Sequence, residues 1–326
     1  MDVSNPTIVR DSDIANAGGA NSRRVGVVVT FFNAALRSAR EVALISDERM
    51  YDANPLYQPT PDADWYLDQR DSQGYERLAV NEDPHLGELD FVLTTSSVAI
   101  PTIRAYSPDS LKREYLAQLF AMRGYAILQM AEDVCPGFPI NDVTPDNLAV
   151  YSEPFTTESA VTYAVTQLDS ALVHGRDSTD FLNLARVVKG RALLDLGQYA
   201  SAATAVSGVP DEFVYMTDPS IFNPFVTSPD SWDPENPYAI RHAVGDLEGG
   251  TGLPFASAQD PRVPVVAKAV RSTNPSDSLF DQLKYTNYDS PMVVASGVEA
   301  RLIEAEAALN EPNPGKMMGI LNTLRG

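Results

Sequence analysis

The sequence contains a single cysteine, three histidines and two tryptophans in 326 residues. One cysteine, Cys135, excludes an internal disulfide framework and any multi-cysteine zinc or iron-sulfur site, and it leaves the redox compartment open. His85, His174 and His242 are far apart and share no ligand spacing, so separate surface or capping roles are expected and no metal site. Positive charge is scarce: 24 Lys and Arg stand against 44 Asp and Glu, a formal net charge of -20. Such a field repels phosphates and anionic headgroups, which argues against nucleic acid and anionic membrane surfaces as partners. No apolar run reaches the roughly 18 residues of a membrane-spanning helix. The opening "MDVSNPTIVRDSDIANAGG" has no basic stretch leading into an apolar one. The chain therefore reads either as cytosolic or as a mature form whose export signal has been removed, and composition does not choose. Also missing are G-x-S-x-G, the phosphate-binding G-x-x-x-x-G-K-[ST], H-E-x-x-H and a calcium-loop spacing, so neither an enzyme nor a cofactor is expected.

What is present is an apolar share of 44%, ample for a large core, arranged mostly at helical spacing. A helix is predicted over about 21–50, capped by Asn21 or Ser22, with Val25, Val28, Val29, Phe32, Ala35, Leu36, Ala39, Val42 and Ala43 on its apolar side. Helical spacing returns before Pro101. A second long helix follows Pro108 and runs to Pro136, with Leu111, Tyr115, Leu119, Met122, Ala126 and Met130 along one side. "TTESAVTYAVTQLDSALVH" carries the clearest stripe, Val161, Ala164, Val165, Leu168, Ala171 and Leu172, with Thr156 as cap and Glu158 in the positive first turn. "FLNLARVVKGRALLDLGQYASAATAVSGVP" reads as a tetratricopeptide-like hairpin. Gly190 and Ala202 allow close approach, Gly197 makes the turn and Tyr199 opens the returning helix. From Asp211 to Asp289 the periodicity collapses into a Pro-, Gly- and aromatic-rich stretch too long for a connector, with "RVPVVAKAV" a short extended piece. Helical spacing resumes at Gly297. On that helix Glu304 and Glu306 point about 200° apart, so a structural role is expected: Glu304 pairs with Arg301, Leu302, Ala305 and Leu309 form one packed stripe, and Ile303 and Ala307 form another.

The loops hold the candidate binding residues. Trp65, Tyr66, Trp232 and Tyr238 sit in polar, Pro-rich contexts where no helical stripe explains them as core. Exposed rings of this kind stack on a sugar face or hold a peptide side chain. Each is equally readable as a plug for its own loop, and the two tryptophans are the stronger candidates. The acidic clusters "TPDADW" and "DPENPY" lack calcium-loop spacing and read as solvated loops.

The order of these segments resembles the SusD/RagB family of outer-membrane nutrient-binding lipoproteins. "EYLAQLFAMRGYAILQMAEDVCPGFPIND" looks like the family's signature helix, with Arg123 after an apolar run and Gly137 and Pro139 beyond it. "ESAVTYAVTQLDSAL", "ARVVKGRALLDLGQYASAA", "DPRVP" and "VEARLIEAEAALN" followed by "LNTLRG" are similar to later family segments. The resemblance implies an all-α, SusD-like fold with tetratricopeptide-like helical hairpins and long irregular loop insertions. Residues 1–326 would form a single domain lacking its C-terminal helices and its N-terminal lipoprotein signal. It further implies a TonB-dependent outer-membrane transporter of the SusC/RagA type as partner, an oligosaccharide or peptide as ligand, and a cell-surface location held by a lipid anchor alone. The alternative is a tetratricopeptide-type protein-interaction scaffold.

Overall fold

A computed structural model describes residues 14–46, 48, 50–51, 84–134, 136–144, 148–175, 178–218, 242–247, 252–267, 279–284 and 290–325. Among them are eight helices: α1 (Ala17–Ile45), α2 (Pro84–Tyr106), α3 (Asp109–Asp133), α4 (Thr157–His174), α5 (Thr179–Asp195), α6 (Tyr199–Val206), α7 (Gly297–Asn310) and α8 (Pro314–Arg325). Eight short strands join them: β1 (Met50–Tyr51), β2 (Asn141–Val143), β3 (Ala149–Tyr151), β4 (Val214–Met216), β5 (His242–Ala243), β6 (Val265–Ala267), β7 (Phe280–Gln282) and β8 (Val293–Ser296). They pair antiparallel as β1–β5, β2–β3, β4–β8 and β6–β7. The protein is thus the helical one its spacing predicts, and the extended piece expected after Arg262 is β6. No helix among the described residues is long and apolar enough to cross a membrane.

The chain gathers into two compact units. Unit 1 comprises Met1–Phe31, Leu89–Met216 and Val293–Gly326, and unit 2 comprises Phe32–Glu88 and Thr217–Met292. In unit 1, α3 runs through the middle of the helical assembly. Every residue from Leu116 to Ala131 is buried, so the one-sided stripe predicted for this helix gives way to burial all round, and Leu111 at its start is 37% exposed. A helix enclosed on every side must satisfy its polar groups internally. Arg123 does so: its Nη1 donates to the Leu93 carbonyl at 2.7 Å and to Ser96 Oγ at 3.0 Å, and its Nη2 to Asp142 Oδ1 at 2.6 Å. Arg123 thus bolts α3 to α2 and to β2. Ser97 adds a second fastening, its Oγ accepting the Val143 N–H at 2.9 Å.

Close approach of α4 depends on Gly124, where an added Cβ would stand 2.7 Å from Leu168 Cγ. The predicted start of α4 is observed: Thr156 Oγ1 accepts the Ser159 N–H at 3.1 Å, and Ser159 Oγ returns a bond to the Thr156 N–H at 2.9 Å. The predicted hairpin is also present. Gly197 turns at φ +68° between α5 and α6, with Gln198 N–H bonding to the Leu193 carbonyl at 2.8 Å. At Gly190 an added Cβ would stand 2.5 Å from Val206 Cγ1 and 3.2 Å from Ile303 Cδ1, so the hairpin closes on α7 through this glycine. Arg301 pairs with Glu304 at 3.2 Å, as the spacing predicts.

Some expectations need correction. The cap of α1 is Asn16, whose Oδ1 accepts the Gly19 N–H at 3.0 Å; Asn21 lies inside the helix and accepts from Arg24 Nε at 3.1 Å. The helix ends at Ile45, where the Ser46 N–H closes on the Val42 carbonyl at 2.9 Å, and Met50 belongs to β1. Its Val42 is 40% exposed, while Val27, Phe31 and Leu44 are sealed. On α7, Leu302 and Leu309 are exposed at 47% and 54%, and the packed residues are Ala300, Ile303, Ala305, Ala307 and Ala308. Small side chains on that face suit the close contact with α5 and α6.

Candidate functional site

Trp65, Tyr66, Trp232 and Tyr238 lie outside the described residues, as do Cys135 and the two acidic clusters. In unit 2, the described segments at 242–247, 252–267 and 279–284 form a cleft. Asp246 lies just after β5: its Oδ1 accepts the Ala256 N–H at 3.1 Å, the Ser257 N–H at 3.0 Å and Ser257 Oγ at 3.1 Å. These bonds, led by the Ser257 backbone, hold its carboxyl below the usual carboxylate range. One carboxylate thereby staples a turn ten residues away in sequence.

The next segment is the D-P-R-V-P run. Pro261 pre-sets the turn, the Val263 N–H closes on the Asp260 carbonyl at 2.9 Å, and Asp260 Oδ1 accepts both the N–H and Nε of Arg262 at 2.9 Å. Asp260 is pushed down to about 2 by the Arg262 side chain first and its backbone N–H second. The side chain of Arg262 remains 87% exposed. The run is thus a self-locked turn. It delivers the chain into β6, which pairs with β7 through Val265–Gln282, Val266–Asp281 and Ala267–Phe280. On its other side β7 is met by Val244, whose N–H bonds to the Phe280 carbonyl at 2.8 Å.

Between the locked turn and β7 lies an open cleft of about 400 Å³. Its lining includes Val263, Val265 and Phe280, the prolines Pro261 and Pro264, and the polar Gln259. Gln259 is held at φ +50°, outside the regular strand and helix regions. The volume is at the small end of the range for ligand sites. Its surface combines apolar walls with the Gln259 amide and the carboxylate of Asp260, the latter already tied to Arg262. Sequence reading singled out the D-P-R-V-P run but not Gln259 or Phe280; the turn residues and the short alternation around Val263 and Val265 were the available signals. Among the described residues, no group of three His, Cys, Asp or Glu side chains converges.

No family model and no curated relative matches the sequence. Solved structures do match. A laminarin-binding SusD-like protein aligns with a TM-score of 0.64 and 12% identity over 95% of this chain and 84% of its own. A SusD superfamily protein from Bacteroides vulgatus gives a TM-score of 0.62 at 10% identity, over 96% of this chain and 79% of its own. A SusD-like carbohydrate binding protein from the same organism gives 0.60 at 12% identity, over 95% and 75%. The chain has the SusD-like fold, of the type its helical segments resemble.

Proposed function

We propose that this chain is a cell-surface nutrient-binding protein of the SusD/RagB type, which captures glycan cargo for a partner TonB-dependent outer-membrane transporter. The observation that carries the reading is the SusD-like fold, matched over 95% of the chain by a laminarin-binding protein. Residues 1–326 act as one such domain, in a protein held at the outer membrane by a lipid anchor. Glycan is favoured over peptide because solved neighbours include carbohydrate-binding proteins. The cleft beside Phe280 is consistent with a sugar ring lying on an apolar wall. Binding without catalysis fits its carboxylate, since Asp260, held at about 2 and tied to Arg262, is a poor general acid or base at neutral pH.

Calorimetric titration with neutral oligosaccharides and with oligopeptides tests this, with Trp65→Ala/Trp232→Ala and Phe280→Ala alongside. Saturable glycan binding is expected, weakened about tenfold or more in the double tryptophan variant. Unchanged affinity in that variant would remove the two tryptophans from the site, and unchanged affinity in Phe280→Ala would remove the cleft. Peptide binding alone would replace glycan as cargo. Absence of binding to both classes by the folded protein would overturn nutrient capture and favour the scaffold reading.

A further inference from the structure

The cleft of unit 2 has little polar chemistry for a ligand, and most of it is already spent. Among the described residues that line it, only Gln259 and Asp260 carry polar side chains. Asp260 is committed to Arg262: Oδ1 accepts the arginine N–H and Nε at 2.9 Å, and Oδ2 accepts Nε at 3.2 Å and Nη2 besides. Its charge is thereby matched within the turn. Gln259 is different. Its backbone N–H closes on the Ala256 carbonyl at 3.2 Å, whereas its side-chain amide has no hydrogen-bond partner among the described residues.

That side chain is carried where the fold does not ask for one. Gln259 stands at φ +50°, in the left-handed region that a glycine enters freely and a residue with a Cβ enters at a cost. The chain around it is fixed by its neighbours. On one side Asp246 Oδ1 holds the Ala256 and Ser257 N–H groups at 3.1 and 3.0 Å, and on the other Asp260 grips Arg262. Neither lock uses the glutamine amide, yet the two together fix the backbone that carries it. The amide is thus presented from a rigid frame with its hydrogen-bonding capacity unspent, which lowers the ordering cost of binding. An exposed, unpartnered side chain on a strained backbone position does nothing for the fold, and residues of this kind cluster at ligand sites.

A carboxamide sets an NH2 donor beside a C=O acceptor in one plane. Two adjacent hydroxyls of a sugar offer the matching pair, one accepting and one donating, while the C–H face of the same ring covers apolar wall such as Val265 and Phe280. We propose that Gln259 is the specificity-determining residue of this cleft, its amide taking a vicinal diol of an uncharged sugar unit. The proposal rests on the glycan-capture reading and deepens it by naming the group that is recognised.

Neutral gluco-, manno- and xylo-oligosaccharides are titrated by calorimetry into the full chain, Gln259→Gly and Gln259→Asn, and the best binder is then compared with its monodeoxy derivatives. Gln259→Gly is expected to lose about tenfold in affinity. It should melt at or above the wild-type temperature, because glycine relieves the left-handed position. Gln259→Asn keeps an amide and tolerates positive φ, so part of the affinity should remain. One monodeoxy derivative should bind the wild type about tenfold more weakly and lose nothing further against Gln259→Gly, the signature of a direct contact. Wild-type affinity in Gln259→Gly, or losses that add for every deoxy derivative, would overturn the proposal while leaving glycan capture standing. A clearly lower melting temperature in Gln259→Gly would also overturn it, by giving the side chain a structural role. Failure of every saccharide to bind the folded wild type would overturn glycan capture itself, and this inference with it.

Discussion

Arg191 and Glu299, 108 residues apart, meet across the α5–α7 contact: Nε and Nη2 of the arginine both donate to one carboxylate oxygen, at 2.9 and 2.6 Å. The guanidinium carbon also lies 5.8 Å from the Tyr125 ring centroid. Both side chains keep about a quarter of their surface, 25% and 27%, so solvent screens the pair only in part. Glu299→Ala is expected to cost about 1–3 kcal/mol, because the arginine stays behind without its counter-charge. The double change Arg191→Met/Glu299→Ala should cost less than the sum of the two singles, measured by denaturant unfolding as a double-mutant cycle.

Gly124→Ala should destabilise the α3–α4 contact by about 1–3 kcal/mol, since the new methyl would meet Leu168 Cγ at 2.7 Å. Leu168→Ala in the same chain opens the space it needs. Recovery of part of the melting temperature in the double variant, relative to the two single losses taken together, is the outcome that supports this steric account.

Glu132 on α3 and Asp195 on α5 share a hydrogen bond, and burial holds both carboxyls above the usual carboxylate range. Arg191 opposes the rise, while Asp133 and Glu306 reinforce it. Raised folded-state values mean that the native protein binds more protons than the unfolded chain above the ordinary carboxylate range. Stability from this pair is thus present at acid pH and lost as pH rises toward about 8. Glu132→Gln should gain about 1 kcal/mol near pH 9, discounted for the solvent contact the side chain retains, and little near pH 5. Unfolding midpoints across pH give the answer; a gain independent of pH would contradict the linkage.

Burial first, and then Arg104 and Arg113, hold His174 below the ordinary histidine range. Its unfolded form takes up a proton first, so His174 withdraws stability as pH falls below that range. Arg104→Gln should raise the imidazole titration midpoint followed by NMR. A midpoint left in place would show that Arg104 exerts no field there.

The helical frame was largely legible from sequence, because its signals are local. Thr156 and Ser159 are three residues apart, Gly197 needs only its own φ, and the stripe of α4 repeats within one helix. What escaped depends on partners distant in sequence. Burial all round α3 has no periodic signature, since a helix with neighbours on every side shows no polar face, and Leu302 and Leu309 were apolar without being covered. The Arg191–Glu299 pair could not be seen from either residue alone. The cleft follows the same rule: the D-P-R-V-P run stood out as a segment though not as a turn, whereas Phe280 entered only through strand pairing with Ala267 across the twelve residues between them.

The ribbon of β4 and β8 has a practical consequence. Met216 lies opposite Val293, and just beyond them the Thr217 N–H bonds to the Met292 carbonyl at 2.9 Å while Thr217 Oγ1 accepts the Met292 N–H at 2.9 Å. The stretch between therefore leaves and rejoins the chain through a doorway one strand pair wide. Loop closure is already settled at that threshold, and lengthening what lies beyond it adds only a logarithmic entropic penalty. The same stretch is held a second time from within, because β5 pairs with β1, so a graft made at the doorway keeps its fold only if residues 50–51 find an equivalent strand to pair with.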